Sequence, residues 1–432
     1  MEKYIPEDCY NNCMAKIKEI DASEILNAKG LPTIEVRVTL SDGKTGIASC
    51  ASGEKISHYE ASELKTTDEN IFEGPDIIKA IDSIKNIITP QLIGKEVENQ
   101  GEIDKTMIDL DGTQNKSRLG ADSIFTVSMA VAKAGAESSF LPLFLYLKQF
   151  LKKDNEPLKI PVPIFDFING KPGKNHFSDF SEFLVIPASS KKYLECIQMG
   201  EAIRKSLKQV LESKYAKTIS DYEEVFTPEL VNNKEAFTII KQAIENTRIR
   251  LGFDVFFGLN SRASKFYKNE KYYIKDNSSQ LSSKDLVDYY GQLNNEFHLL
   301  YMEDALDQED WDGWTYLFEK LSNSTIISGG DLIATNPYRL QMAIDKKAVS
   351  GIVIKPNQVG TVIESLAIAE AAKETGLKTT VSHRSYETND TFISDFSVAI
   401  SADYIKIGSL ARGENIAKYN RLLQIENQLK IL

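Results

Sequence analysis

Ionisable or amide residues recur in the second half of the chain, each just after a short apolar stretch. Asn260 follows Val255–Leu259, Glu303 follows Leu299–Met302, and Asp331 follows Thr325–Ser328 and two glycines. Lys355 follows Ile352–Ile354, His383 and Arg384 follow Thr379–Ser382, and Lys406 follows Tyr404–Ile405. Glu182 and the pair Glu223–Glu224 add carboxylates upstream. A lysine near other cations has its charged form destabilised and can act as a general base, with a facing carboxylate as general acid. That pairing suits removal of a proton next to a carboxylate. The enediolate formed needs concentrated positive charge, normally metal ions. Two lysines and Arg384 also suit a multiply anionic substrate.

Other chemistries find little support. No cysteine is a candidate nucleophile and no serine sits in a nucleophile elbow, so acyl transfer is not expected. Gly170–Lys174 (GKPGK) lacks both the spacing of a phosphate loop and its following Ser/Thr, and reads as a plain loop. No G-x-G-x-x-G opens a helix after a strand.

The elements that must position these residues follow from periodicity. From about residue 160, short apolar runs alternate with helical spacing, as in Trp311–Leu321, Thr361–Thr375 and Asn415–Leu429. Phe183–Ile186 belongs to the same series of runs. Alternating β and α over this length predicts a parallel α/β barrel, whose strand C-termini share one face. The first 150 residues differ. Ile17–Ala22, Thr33–Leu40 and Gly46–Ala51 read as strands, with a turn at Ser41–Gly43. Pro75–Ile88 and Ser123–Ala136 then show helical spacing. This predicts an α+β cap over 1–155 and a barrel over 156–432, divided near Lys152–Pro157.

Composition fits that plan. The chain has 432 residues, 42% hydrophobic and 26% charged, enough for a cap and one barrel. Its 51 Lys+Arg against 62 Asp+Glu give a net charge of −11, which disfavours nucleic-acid binding. The cysteines, Cys9, Cys13, Cys50 and Cys196, are too few for a disulfide scaffold and are expected as free thiols. The N-terminus has no signal-peptide pattern and no stretch is long enough to span a bilayer, so a cytoplasmic location is expected. His298 at the start of an apolar run reads as a structural histidine, and His58 as exposed.

Long motifs then become specific. MEDALDQEDWDGW (302–314), IKPNQVGT (354–361), VSHRSYETNDTFISD (381–395) and IKIGSLARGENIAKYNRLLQIE (405–426) resemble enolase (phosphopyruvate hydratase). So do EILNAKGLPTIEV (24–36), YEASEL (59–64) and SRLGADSIFTVSMAVAKA (117–134), and the resemblance spans nearly the whole chain. It implies a cap-plus-barrel fold, Mg²⁺, a homodimer, and interconversion of 2-phospho-D-glycerate and phosphoenolpyruvate. Lys355 is implied as the C2 base, Glu223 (or Glu224) as the acid, and Glu182 as the second leaving-group carboxylate. Arg384 and Ser385 would hold phosphate, Lys406 the carboxylate, and His383 would face the leaving hydroxyl.

Departures from the family pattern accompany this. The three metal carboxylates fall on Asn260, Glu303 and Gly330, with Asp331 one residue later. A loop serine aligns with Lys55, the mobile-loop histidine aligns near Gly173 with His176 close by, and the glutamine before Glu182 is Ser181. These changes add positive charge and weaken Mg²⁺ binding. An enolase-type lyase is therefore the first expectation. A pseudoenzyme holding an anionic ligand or protein partner is the alternative, and a related lyase or racemase is a third.

Overall fold

The structure is a computed structural model and describes residues 15–53, 57–64, 66–67, 75–152, 157–170, 178–215 and 225–431. The N-terminal part begins with an antiparallel meander of β1 (Ile17–Leu26), β2 (Pro32–Leu40) and β3 (Thr45–Ser49). Along β2, Ile34, Val36, Val38 and Leu40 are all buried, as alternation on a half-covered sheet requires. Two helices follow, α1 (Gln100–Asp111) and α2 (Ala121–Ser138). A Cβ on Gly46 would clash with the α2 backbone at Ala130 and Ala134, so this glycine lets the helix lie directly on the sheet. The stretch expected as one helix over 75–88 is more broken. Pro75–Asp76 is a short strand, the helix starts at Ile78, and Ile84–Ile88 widens into a π-helical turn. Pro90 has no N–H to continue the ladder, and Thr89 bonds the Ile84 carbonyl with both its amide and its hydroxyl.

Eight strands close the barrel: β4 (Val162–Asn169), β5 (Glu182–Pro187), β6 (Val255–Asn260), β7 (Leu299–Glu303), β8 (Ile326–Gly329), β9 (Gly351–Ile354), β10 (Lys378–Ser382) and β11 (Tyr404–Lys406). Seven of them match or closely overlap the runs read from sequence; β4 is additional, its apolar pattern interrupted by Pro163 and Asp166. The expected α/β barrel with an N-terminal cap is present, with one strand reversed. β5 pairs antiparallel with both β4 and β6, while every other pairing is parallel. The reversal puts Glu182, the first residue of β5, on the same face as the C-terminal residues of the other strands. In a parallel strand it would lie at the opposite end.

Cap and barrel meet at the N-terminus of α3 (Val362–Glu374). The Val362 amide donates to Ser128 Oγ at 3.0 Å, the Ile363 amide donates to Asp104 Oδ2 at 3.0 Å, and Lys116 pairs with Glu364 at 2.9 Å. A carboxylate at a helix N-terminus satisfies otherwise unpaired amides. Among the described residues no helix is long and apolar enough to cross a membrane. Cys50 and Cys196 are buried and form no disulfide among the described residues, while Cys9 and Cys13 lie outside them. His298 is exposed, with φ of 53°, and caps the C-terminus of the helix Ser283–Phe297, its amide donating to the Asn294 carbonyl.

Candidate active site

Strand register builds the floor of the barrel mouth. Glu182 lies opposite Asn260, Asn260 opposite Glu303, and Glu303 opposite Ser328, forming one row across four strands. Side chains alternate along a strand, so Glu182 shares its face with Leu184 and Ile186, and Glu303 with Tyr301. Leu184, Ile186, Tyr301 and Ile164 form a small apolar cluster separate from the main core. A Cβ on Gly258 would touch Ile186, Leu184 and Tyr301, which places Asn260 on that same face. A layer of polar groups therefore rests on an apolar plug.

That layer is tightly bonded. Lys406 Nζ lies 2.8 Å from Glu182 Oε2 and 2.9 Å from each oxygen of Glu303. Asn260 Nδ2 donates to Glu182 Oε2 at 3.0 Å and to Glu303 Oε1 at 3.1 Å, and Tyr301 donates to Glu303 Oε2 at 3.0 Å. Asn260 Oδ1 is buried with no hydrogen-bond partner among the described residues. Burial alone would raise the Glu182 carboxyl, but Lys406, Asn260 and Arg262 outweigh it and bring it down to about 2. Burial alone would lower the Lys406 ammonium, but Glu182 and Glu303 reverse this and hold it well above the ordinary lysine value. Glu182 is thus a fixed carboxylate, not a ready proton donor. Lys406 has all three N–H directions facing protein oxygens.

The neighbouring rim is built from loops. Asp304 is buried and accepts the amides of Gly330 at 2.8 Å and Asp331 at 2.9 Å. Burial, with Asp331 and Glu303 beside it, pushes its carboxyl up to about 7. A Cβ on Gly330 would lie 2.6 Å from Asp304 Oδ2, so this backbone passes where a side chain would crowd that carboxylate. Asp331 instead faces Arg262, whose Nε is 3.6 Å from Asp331 Oδ2. Burial opposes ionisation of Asp331, but Arg262, Lys355, Arg384 and Lys265 lower its carboxyl below the ordinary value. Ser181 Oγ accepts from Lys265 at 3.2 Å.

Lys355 follows β9, and β9 is four strands from β5, so Lys355 and Glu182 occupy opposite sides of the barrel. Its amide donates to Thr335 Oγ1 at 3.0 Å, and among the described residues no hydrogen bond or ion pair holds its ammonium. His383 follows β10, its amide bonded to the Lys406 carbonyl at 2.9 Å and its Nδ1 buried without a partner among the described residues. Burial, then the charges of Lys406, Lys418 and Lys355, lower the imidazole to about 3. It is neutral at physiological pH.

Arg384 is committed to the cap. Its Nη1 lies 2.6 Å from Glu60 Oε2 and its Nη2 3.3 Å from Glu60 Oε1, with both side chains about 95% buried. A Cβ on Gly53 would strike the guanidinium, so glycine there gives it room. The cap loop is stitched to the barrel by paired backbone bonds between Ser52 and Tyr386, and by Asn357 Nδ2 to the Ala51 carbonyl at 3.0 Å. Ser385 is partly exposed beside this pair.

Residues 17–147 match the family described as enolase, N-terminal domain, and residues 157–431 match enolase, C-terminal TIM barrel domain. The chain belongs to the enolase family. Enolases usually use Mg²⁺. Among the described residues, no group of three or more His, Cys, Asp or Glu is gathered as a metal site. Of the residues expected from sequence, Glu182, Asn260, Glu303 and Lys406 come together directly, with Asp331, Lys355, His383 and Arg384 around them. Lys55, His176, Glu223 and Glu224 lie outside the described residues. Sequence reading missed Arg262, Asp304, Tyr301 and Glu60 as parts of the site. Arg262 and Asp304 carry the strand-end signal one or two positions later, and Glu60 sits inside the YEASEL motif.

Proposed function

We propose that the chain is an enolase-type carbon–oxygen lyase interconverting 2-phospho-D-glycerate and phosphoenolpyruvate. The observation that carries this reading is the placement of Lys355, with no partner on its ammonium among the described residues and Glu182 on the opposite strand. In the forward direction Lys355 Nζ takes the C2 proton, and the electron pair is held beside Lys406 and Arg384. The C3 hydroxyl then leaves as water with a proton from Glu223 or Glu224. Glu182, fixed as a carboxylate, keeps Lys406 charged and placed. Neutral His383 faces the leaving group as a hydrogen-bonding partner.

The donor set does not fit a three-carboxylate Mg²⁺ cage. Both oxygens of Glu303 accept from Lys406, Asn260 turns its N–H groups toward the carboxylates, and Gly330 brings no side chain. Hard cations favour anionic oxygens with free lone pairs. Glycolytic use, a cytoplasmic location and a homodimer are proposed on family grounds.

The test is formation of phosphoenolpyruvate from 2-phosphoglycerate by the purified chain, with and without Mg²⁺, beside Lys355→Ala. Loss of a general base is expected to lower turnover by roughly 10²–10⁴-fold. Equal rates in the two proteins would refute the reading.

A further inference from the structure

Among the described residues at the mouth, Arg262 is a cation in an unusual backbone conformation. Its φ is 45°, a left-handed conformation that is strained for a non-glycine residue. The turn is pinned on both sides: Ser261 N donates to the Glu303 carbonyl at 3.0 Å and Ala263 N to the Asp304 carbonyl at 2.9 Å. The acidic strand end thus holds Arg262 in place through its own carbonyls. Four carboxylates act on the guanidinium: Asp331 most strongly, then Glu182, Asp304 and Glu303. Yet the contact to Asp331 is 3.6 Å, longer than a hydrogen bond. Both side chains keep partial access, 29% for Arg262 and 26% for Asp331. The fork is therefore placed by charge but not consumed by it. Lys406, by contrast, is consumed: it is buried with three close oxygens.

We propose that Arg262 is the resident cation of the mouth, contacting an oxyanion of the phosphorylated hydroxy acid at the end where Asn260, Glu303 and Asp331 gather. A guanidinium suits this task because its planar donors can serve a ligand carboxylate while one edge stays with Asp331. Binding of that ligand then needs no divalent cation. The inference rests on the enolase-type reading for its ligand, but not on turnover.

The experiment uses the full chain in two arms. In the first, Mn²⁺ alone is titrated and the free ion is read by electron paramagnetic resonance; the wild-type chain is expected to take up none. In the second, 2-phosphoglycerate binding is measured by calorimetry in a chelator, for wild type, Arg262→Ala and Arg262→Lys. Wild type is expected to bind, Arg262→Ala to bind on the order of 10–100-fold more weakly, and Arg262→Lys to recover part of the loss. Circular dichroism checks that each variant is folded. Stoichiometric Mn²⁺ uptake by wild type, absence of ligand binding in chelator, or equal affinity in Arg262→Ala would overturn the proposal. Binding as expected but without turnover would sink the lyase reading and leave this one standing.

Discussion

The floor and the rim of the barrel mouth are held by different means. On the floor, Glu182, Asn260, Glu303 and Lys406 sit at strand ends, and strand register fixes their neighbours. Two carboxylates face one ammonium and one amide, all within hydrogen-bond distance, so the layer keeps one net negative charge. On the rim, Arg384, Lys355 and Arg262 hang from loops, and the buried partner of Arg384 comes from the cap, 324 positions away. The floor is a closed electrostatic unit that a ligand must accept as it is. Among the described residues, the rim has an ammonium without a partner, a loosely held guanidinium, and one buried pair between cap and barrel.

The largest effect should come from breaking the floor. Lys406→Met leaves two buried carboxylates facing each other, and loss of one partner of a buried pair typically costs about 3–5 kcal/mol. Urea unfolding at neutral pH measures this. The floor should also set the acid limb of stability. The Glu182 carboxyl is lowered from 4.5 to about 2, so its contribution is present above pH 4.5 and is lost as pH falls toward about 2. Glu182→Gln should flatten that limb.

On the rim, Glu60→Gln should cost less, about 2 kcal/mol, because the amide can keep one bond to Arg384. The same change should strengthen binding of inorganic phosphate in calorimetry, since it removes the charge competing for Arg384. A loss of phosphate affinity would mean that Glu60 positions Arg384 instead of competing for it. Smaller still, Tyr301→Phe removes one hydrogen bond to Glu303 and should lower stability by about 1.5 kcal/mol in the same unfolding assay. The least perturbing test is a titration. His383, lowered to about 3, should show no change in its ring NMR shifts between about pH 5 and 8. Its unfolded counterpart takes up a proton below about 6.5, so this group's contribution to stability is lost as pH falls from there toward 3. A midpoint near 6.5 would place the imidazole in water.

Much of this mouth was legible in the sequence because strand-end positions mark it: Asn260, Glu303, Lys355, His383, Arg384 and Lys406 each follow an apolar run. The reversal of β5 was not legible, since a continuous apolar run reads the same in either direction. β4 escaped because Pro163 and Asp166 interrupt its apolar run. The Glu60–Arg384 pair depends on how the cap sits on the barrel, which no local pattern encodes. The role of Arg262 turns on a left-handed turn pinned by the carbonyls of Glu303 and Asp304, a long-range feature. The family resemblance implies Lys406 as the carboxylate-binding group, but register places two glutamates within its reach first.

The central claim, that Lys355 removes the proton next to the substrate carboxylate, is tested most directly by isotope exchange. 2-Phosphoglycerate is incubated with the chain in D₂O and the C2–H signal is followed by NMR. Loss of that signal with wild type, and its persistence with Lys355→Ala, is the expected result. A wild-type chain that leaves the C2–H signal intact, or a Lys355→Ala chain that exchanges it equally fast, would contradict the account.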